Sequence, residues 1–187
     1  MPLKRQKTVF IDRDGTMNRD VGYLSRPEDL EVFPFTRKAV ALFKESGYLI
    51  VVITNQSGIG RGFYDEAALA LIHERLRNEI GVAIDGIYFC PHIPGGGCEC
   101  RKPNLGMIEA ACRELAIDME NSWMIGDKVL DIQTGFNAGL RTAMVLTGYG
   151  NKDRSKMADR PADIIADDLL AVAEKIVALS LESETGL

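Results

Sequence analysis

Short apolar runs alternate along this chain with segments whose apolar residues recur at helical spacing, and this alternation limits the possible folds more than any other feature. The predicted strands are residues 8–12, 48–54, 86–90, 123–126, 142–146 and 163–166. The predicted helices are residues 37–46, 107–115, 129–138, and a helix that Asp65 caps and that runs to about residue 80. Strands that alternate with helices of this length form right-handed βαβ units. The pattern therefore predicts an α/β fold with three αβα layers and a mainly parallel sheet.

The length and charge of the chain narrow the class of protein. We expect one domain over residues 1–187, with a loose tail at about residues 180–187. The longest apolar stretch, residues 48–53, is far shorter than the roughly 20 residues of a membrane span. A formal net charge of −5 argues against binding nucleic acid through a general basic field. We therefore expect a cytoplasmic monomer that has neither a membrane nor nucleic acid as its partner.

Two carboxylates, Asp12 and Asp14, lie two residues apart where the first predicted strand ends. They need a cation, and Mg²⁺ with oxygen ligands would neutralise both them and a bound phosphate. One could attack phosphorus while the other protonates the leaving oxygen and later activates water. Taken alone, Asp-x-Asp-Gly is more often a solvated turn. Three further polar clusters at strand or helix ends favour the chemical interpretation: residues 54–57, residues 101–103, and residues 126–128 with Asp131 nearby.

Together these four clusters resemble the motifs of the haloacid dehalogenase superfamily of phosphohydrolases, over residues 8 to about 147. The resemblance implies a Rossmann-like fold in which Asp12 is the nucleophile that forms an aspartyl-phosphate and Asp14 is the general acid and base. It also implies that Thr54 and Lys102 hold the phosphoryl oxygens, which is a preorganised electrostatic role. Asp127 would join Asp12 and the backbone carbonyl of Asp14 as a ligand of the catalytic Mg²⁺.

Three of the four cysteines lie within eleven residues, together with one of the two histidines. The cluster consists of Cys90, His92, Cys98 and Cys100. Three thiolates and an imidazole are the usual composition of a closed structural zinc site. The alternative is a set of buried cysteines beside a loop histidine. We interpret the cluster as a Zn²⁺ clip that holds residues 101–102 in place.

Several polar loops resemble the branch of the superfamily that contains heptose bisphosphate phosphatases and histidinol-phosphate phosphatases. The branch implies removal of the 7-phosphate of a heptose bisphosphate in lipopolysaccharide core or nucleotide-heptose precursor synthesis. It also implies that a small phosphorylated sugar would contact the following residues: Asp20, Val21, Gly22, Tyr23, Thr54, Asn55, Gln56, Ser57, Arg61, Arg101, Lys102 and Lys128. Histidinol phosphate stays open as an alternative substrate, because the loop at residues 93–97 has the short length found in that group.

Other expectations concern single loops and side chains. Residues 58–62 lack the spacing of a dinucleotide-binding loop, so we expect a mobile turn with no helix there. The short connections leave no room for a separate cap domain. Cys112 is expected in the core and His73 on an exposed helix face. Two alternatives from other classes are a zinc-knuckle module without catalysis and a phosphatase that acts on DNA 3′ ends, and the acidic composition disfavours both.

Overall fold

The computed structural model describes residues 4–157 and 159–185, with the backbone alone for residues 183–185. One six-stranded parallel sheet forms its centre, in the order β3-β2-β1-β4-β5-β6. The strands are β1 Gln6–Ile11, β2 Leu49–Asn55, β3 Gly86–Cys90, β4 Ile117–Gly126, β5 Arg141–Val145 and β6 Ile164–Ala166. The predicted α/β class with a parallel sheet is confirmed, and this strand order is the doubly wound one.

Helices cover both faces of the sheet. They are α1 Thr36–Glu45, α2 Ser57–Gly60, α3 Glu66–Ile80, α4 Gly106–Glu114, α5 Val129–Asn137, α6 Gly150–Asp153 and α7 Leu169–Thr185. α1, α3 and α7 pack on the face that carries Val9 and Ile11, whereas α4 packs on the face that carries Phe10. Because both faces are buried, the central strands are continuous apolar runs and do not alternate with polar residues.

The strand order places the polar clusters at one edge of the sheet. From β1 the chain proceeds outward through β2 and β3, and it then returns to the other side of β1 for β4, β5 and β6. The order therefore reverses between β1 and β4, which is where open α/β sheets form a crevice at the carboxyl ends of their strands. Asp12 follows β1 at this point, and its backbone N–H donates to the carbonyl of Ile125 in β4 (2.9 Å).

Two local predictions were wrong. Residues 180–185 continue α7 and are not a loose tail, because the helix buries Leu169, Val172, Ala173 and Ile176 against the sheet, and this anchors the turns that follow. Residues 186–187 lie outside the described part of the chain. The turn expected at residues 58–62 is partly helical, since α2 makes one turn there and the N–H of Gly60 donates to the carbonyl of Pro91 (2.9 Å).

Most other boundaries agree with the expectations, but β4 begins six residues before the predicted residue 123, and α7 was not predicted. Asp65 caps α3 by accepting a hydrogen bond from the N–H of Ala68 (2.8 Å). Among the described residues no helix is both long and apolar enough to cross a membrane.

Truncation of a buried side chain on α1 tests the packing of the helices on the sheet. Phe43 is fully buried, and its ring lies edge-on to that of Tyr48 at 5.7 Å. We expect Phe43→Ala to lower the free energy of unfolding by about 3–5 kcal/mol, because it leaves a cavity in the core. Urea denaturation followed by circular dichroism measures this change. Leu71→Ala, at a side chain that is 55% exposed on α3, is the control and should stay within about 0.5 kcal/mol of the unaltered protein.

Candidate active site

Three buried carboxylates meet where β1 and β4 end. Asp12 follows β1, Asp127 follows β4, and Asp131 lies in the first turn of α5. One oxygen from each lies within 4.8 Å of the others. Three negative charges this close, shielded from water, require compensating positive charge.

Lys102 supplies part of that charge. Its Nζ donates to Asp12 Oδ1 (2.7 Å), to Asp131 Oδ1 (2.6 Å) and to the carbonyl of Ile53 (3.1 Å). Burial lowers the pKa of Lys102, but the two carboxylates outweigh it and the net direction is upward, so the ammonium form is held. The side chain of Asn55 fixes the backbone of Lys102, accepting from its N–H (3.1 Å) and donating to its carbonyl (3.4 Å).

Asp127 offers a ligand for a further cation. Its Oδ2 accepts from the N–H of Tyr149 (2.7 Å), whereas its buried Oδ1 has no hydrogen-bond partner among the described residues. Burial, reinforced by the charges of Asp12 and Asp131, raises its pKa to about 8. The backbone at Gly15 approaches so closely that a Cβ there would lie 2.2 Å from Asp127 Oδ2. A buried carboxylate close to Asp12 and Asp131, with one oxygen that has no partner in the described part of the chain, fits a divalent cation with oxygen ligands.

Asp14 has a different environment, although it is only two residues from Asp12. Arg13, which is fully buried, donates from Nε (3.1 Å) and from Nη2 (3.0 and 2.8 Å) to its carboxylate. The side chains of Asn18 and Gln56 add one bond each, at 3.0 and 2.9 Å. Burial raises the pKa of Asp14, but Arg13 and these donors outweigh it and the net direction is downward.

By contrast, burial raises the pKa of Asp12 to about 6 against the opposing effect of Lys102. The carboxylate of Asp14 is outside the cluster of three. The pKa values of Asp12 and Asp14 are therefore shifted in opposite directions.

A narrow cleft opens over these groups. Its lining includes Asp12, Asp14, Thr54, Asn55, Lys102, Lys128, Leu130 and Asp131. Thr54 is buried, and its hydroxyl accepts from the Nε2 of Gln56 (2.8 Å), while Gln56 in turn accepts from the hydroxyl of Tyr64 (2.6 Å). Gln56, expected to contact substrate, thus also orients Asp14 and Thr54.

The remaining predicted substrate contacts surround the cleft. Lys128 Nζ donates to Asp20 Oδ2 (2.9 Å) and lies 4.8 Å from the centre of the Tyr149 ring. The other oxygen of Asp20 accepts from the N–H of Gly22 (2.8 Å). Eight of the twelve predicted contact residues lie outside the cleft lining: Asp20, Val21, Gly22, Tyr23, Gln56, Ser57, Arg61 and Arg101. Arg101 donates to the carbonyl of His92 (3.1 Å), which joins it to the cysteine loop.

The four residues of the cysteine cluster lie together as predicted. Cys90 Sγ is 3.6 Å from both Cys98 Sγ and His92 Nδ1, and Cys100 Sγ is 3.3 Å from His92 Nδ1. Around a tetrahedral zinc ion, with bonds of about 2.0–2.3 Å, neighbouring ligand atoms lie about 3.5–3.8 Å apart. The spacing and the donor set are compatible with Zn²⁺.

Two side-chain predictions were wrong. Cys112 is exposed, because it lies on the outer face of α4. His73 is half-buried, and its Nε2 lies 3.1 Å from Arg13 Nη1. Periodicity could not reveal this contact, because it joins residues sixty positions apart. The sequence interpretation also gave no role to Asp131, although its position one helical turn after Asp127 was a usable signal.

Comparisons with known proteins agree with this geometry. Residues 99–172 match the HAD-hydrolase-like family. The D-glycero-beta-D-manno-heptose-1,7-bisphosphate 7-phosphatase of Haemophilus ducreyi is 39% identical over 176 residues, covering 88% of this chain and 95% of that protein. The D-glycero-alpha-D-manno-heptose-1,7-bisphosphate 7-phosphatase of Photorhabdus laumondii is 38% identical and covers 94% and 100%. The crystal structure of D,D-heptose 1,7-bisphosphate phosphatase from B. bronchiseptica, complexed with magnesium and phosphate, superposes with a TM-score of 0.86 at 33% identity, covering 92% and 99%.

The raised pKa of Asp127 generates a prediction for the metal-free site. The folded state keeps a proton on Asp127 up to about pH 8, whereas the unfolded chain releases it near 3.8, so stability should fall as pH rises toward 8. His73 acts in the opposite direction only below its ordinary pKa of 6.5, since its folded pKa falls to about 3. Between pH 6.5 and 8, above the pKa of about 6 of Asp12, Asp127 is the site carboxylate that still releases its proton, and calorimetry should show a falling Tm there.

Mg²⁺ supplies the complementary measurement. Because a metal binds the deprotonated carboxylates, added Mg²⁺ should raise Tm more at pH 8 than at pH 6.5. Asp127→Asn should remove both the fall in Tm between pH 6.5 and 8 and the rise in Tm on adding Mg²⁺. A metal-free Tm that rises between pH 6.5 and 8 would contradict the assignment.

Proposed function

Because this chain belongs to the family of the D-glycero-D-manno-heptose-1,7-bisphosphate 7-phosphatases, which are haloacid dehalogenase-like hydrolases, we propose that it removes the 7-phosphate of that sugar. It is a phosphoric monoester hydrolase by membership of this family. The observation that carries the proposal is the position of Asp12, with Lys102 on one oxygen and the unpaired carboxylate oxygen of Asp127 nearby. All 187 residues would form the one phosphatase domain.

The first half of the reaction transfers the phosphoryl group to the protein. An oxygen of Asp12 attacks phosphorus, and the bond from phosphorus to the sugar oxygen breaks. Asp14 gives a proton to that oxygen as it leaves, so the sugar departs as an alcohol. The positive charge of Lys102 and the hydroxyl of Thr54 stabilise the equatorial phosphoryl oxygens, where negative charge is greatest in the transition state.

The second half returns the enzyme to its starting state. Asp14, now a carboxylate, takes a proton from water, and the resulting oxygen attacks phosphorus. The bond from phosphorus to Asp12 breaks, which releases inorganic phosphate. Five donated hydrogen bonds favour the ionised Asp14 needed here. In the first half, the dianionic phosphate in the cleft would repel that charge and raise its pKa toward the protonated form.

Asp12, Asp127 and the backbone carbonyl of Asp14 would hold the Mg²⁺. When bound, this ion would offset the charge of the carboxylates and of the phosphate. The buried, unpaired Oδ1 of Asp127 supports the assignment. Asp131 stays paired with Lys102 and balances its charge.

The rest of the substrate would lie along the open side of the cleft. Lys128 and Arg101 supply positive charge for the second phosphate, and Asp20 and Asn55 can bind sugar hydroxyls. Histidinol phosphate would need acidic groups for its ammonium and imidazole. Asp20 is the single acidic side chain among the predicted substrate contacts, which is little support for it.

We also propose that the cysteine cluster binds a structural Zn²⁺. All four coordination positions would be filled by protein, so no position remains for a reactive water. The loop would then support the active site through Arg101, whose guanidinium binds the carbonyl of His92 (3.1 Å), and through the adjoining Lys102.

Substrate preference is the direct test of the proposed function. We expect phosphate release with Mg²⁺ to give a kcat/KM for the heptose bisphosphate about a hundredfold above that for histidinol phosphate, or about 2.7 kcal/mol of transition-state binding. Asp12→Asn should lower turnover by about a thousandfold or more, since the nucleophile is lost. The reverse preference would overturn the substrate assignment, and near-normal turnover of Asp12→Asn would overturn the mechanism.

Removal of one cysteine tests the zinc proposal. Protein purified without added metal should contain one zinc per chain, and Cys98→Ser should lose most of it. Its turnover with saturating Mg²⁺ should fall about 10- to 100-fold, because Arg101 and Lys102 lose their support. The matched control is Cys112→Ser, at the exposed cysteine outside the cluster, which should keep both zinc and turnover. Zinc-free protein with full turnover would contradict the proposal.

A further inference from the structure

His73 lies behind the first motif, on the side of α3 that faces Arg13. The same helix buries Ile72, Leu76 and Ile80 in the core cluster that contains Val9 and Ile11, which fixes its position relative to β1. His73 Nε2 is 3.1 Å from Arg13 Nη1. The mechanism described above gives this histidine no role.

The direction of this hydrogen bond follows from the chemistry of the two groups. A guanidinium has only donors, so His73 Nε2 must be the acceptor and its ring must be neutral with the proton on Nδ1. An imidazolium would place a second cation against Arg13. Burial and the charge of Arg13 both act to lower the pKa of His73, to about 3, so the neutral acceptor is the form present at ordinary pH.

Arg13 connects this acceptor to Asp14. Its Nε and Nη2 bind the carboxylate of Asp14 at 2.8–3.1 Å, and its Nη1 is left for His73. The guanidinium is fully buried, so water does not compete for these bonds. Hydrogen bonds to both His73 and Asp14 fix the orientation of the planar Arg13 guanidinium, and this in turn fixes the orientation of the Asp14 carboxylate.

We propose that His73 is a positioning residue for proton transfer: it holds Arg13, and Arg13 holds the carboxylate of Asp14 in line with the leaving oxygen. This role rests on the proposed function of Asp14 as general acid. His73 itself touches no reacting atom. Without His73, one buried N–H of the Arg13 guanidinium has no acceptor. The guanidinium would then rotate toward another acceptor and displace the carboxylate of Asp14.

Leaving groups of different basicity separate this role from a general loss of structure. A sugar alkoxide needs a proton as it leaves, whereas p-nitrophenolate leaves without one. The ratio kcat/KM reports only the steps up to formation of the aspartyl-phosphate, so hydrolysis of that intermediate does not obscure the comparison. A defect in Asp14 positioning should therefore slow the sugar phosphate selectively.

The experiment compares heptose 1,7-bisphosphate with p-nitrophenyl phosphate in full-length His73→Leu and His73→Gln. We expect His73→Leu to lower kcat/KM about tenfold or more for the sugar and less than about threefold for p-nitrophenyl phosphate. In His73→Gln the amide oxygen can accept from Arg13, so most of the lost kcat/KM for the sugar should be recovered. Arg77→Leu is the control, because it removes a hydrogen bond from the same helix to the carbonyl of Ile84 (2.6 Å). It should lower Tm without changing the kcat/KM for the sugar relative to that for p-nitrophenyl phosphate.

Equal losses for both substrates, or no loss in His73→Leu, would overturn the role. If the unaltered enzyme prefers another sugar phosphate, the proposed substrate fails, and the comparison with p-nitrophenyl phosphate is made with that preferred sugar phosphate. The test of His73 then stands unchanged. If Asp12→Asn keeps its turnover, the mechanism fails, and the role of His73 fails with it.

Discussion

The buried contact of Lys102 with Asp12 and Asp131 is the interaction on which the rest of the site depends. An ammonium group removed from water is stable only with such partners, and either carboxylate alone would be a buried unpaired charge. Holding Lys102 there requires Asn55 at the end of β2 and the cysteine loop that leads into it. The sheet, the loop and α5 thus converge on one charged group that comes from none of the strands.

The two aspartates of the first motif show how the fold assigns different chemistry to the same residue type. Asp12 is buried with one ammonium and two carboxylates, and its pKa rises. Asp14 is surrounded by donors from Arg13, Asn18 and Gln56, and its pKa falls. Environments that separate the pKa values of neighbouring carboxyl groups are a general means of dividing catalytic roles. Here the division depends on support from α3 and from the loop after β2.

Most of the fold and much of the site were predictable because their signals are local. Apolar runs and helical periodicity marked the strands, and the rule for parallel sheets indicated that Asp12, Thr54 and Asp127 would meet at one edge. The superfamily resemblance is confirmed by the comparisons. α7 was missed although its buried residues Leu169, Val172, Ala173 and Ile176 recur at helical spacing. The exposure of Cys112 had no local signal, because it depends on the rotation of α4 against the sheet.

The sequence by itself determined the α/β fold, the residues available for phosphoryl transfer and the donor set of the cysteine cluster, because each depends on residue types at short spacing along the chain. The tertiary structure alone decided which of these residues touch. The contact of Arg13 with His73 and that of Lys102 with Asp131 join segments sixty and twenty-nine residues apart. Packing of helices on the sheet sets such distances, and burial then sets the pKa values, so neither can be obtained from the order of residues along the chain.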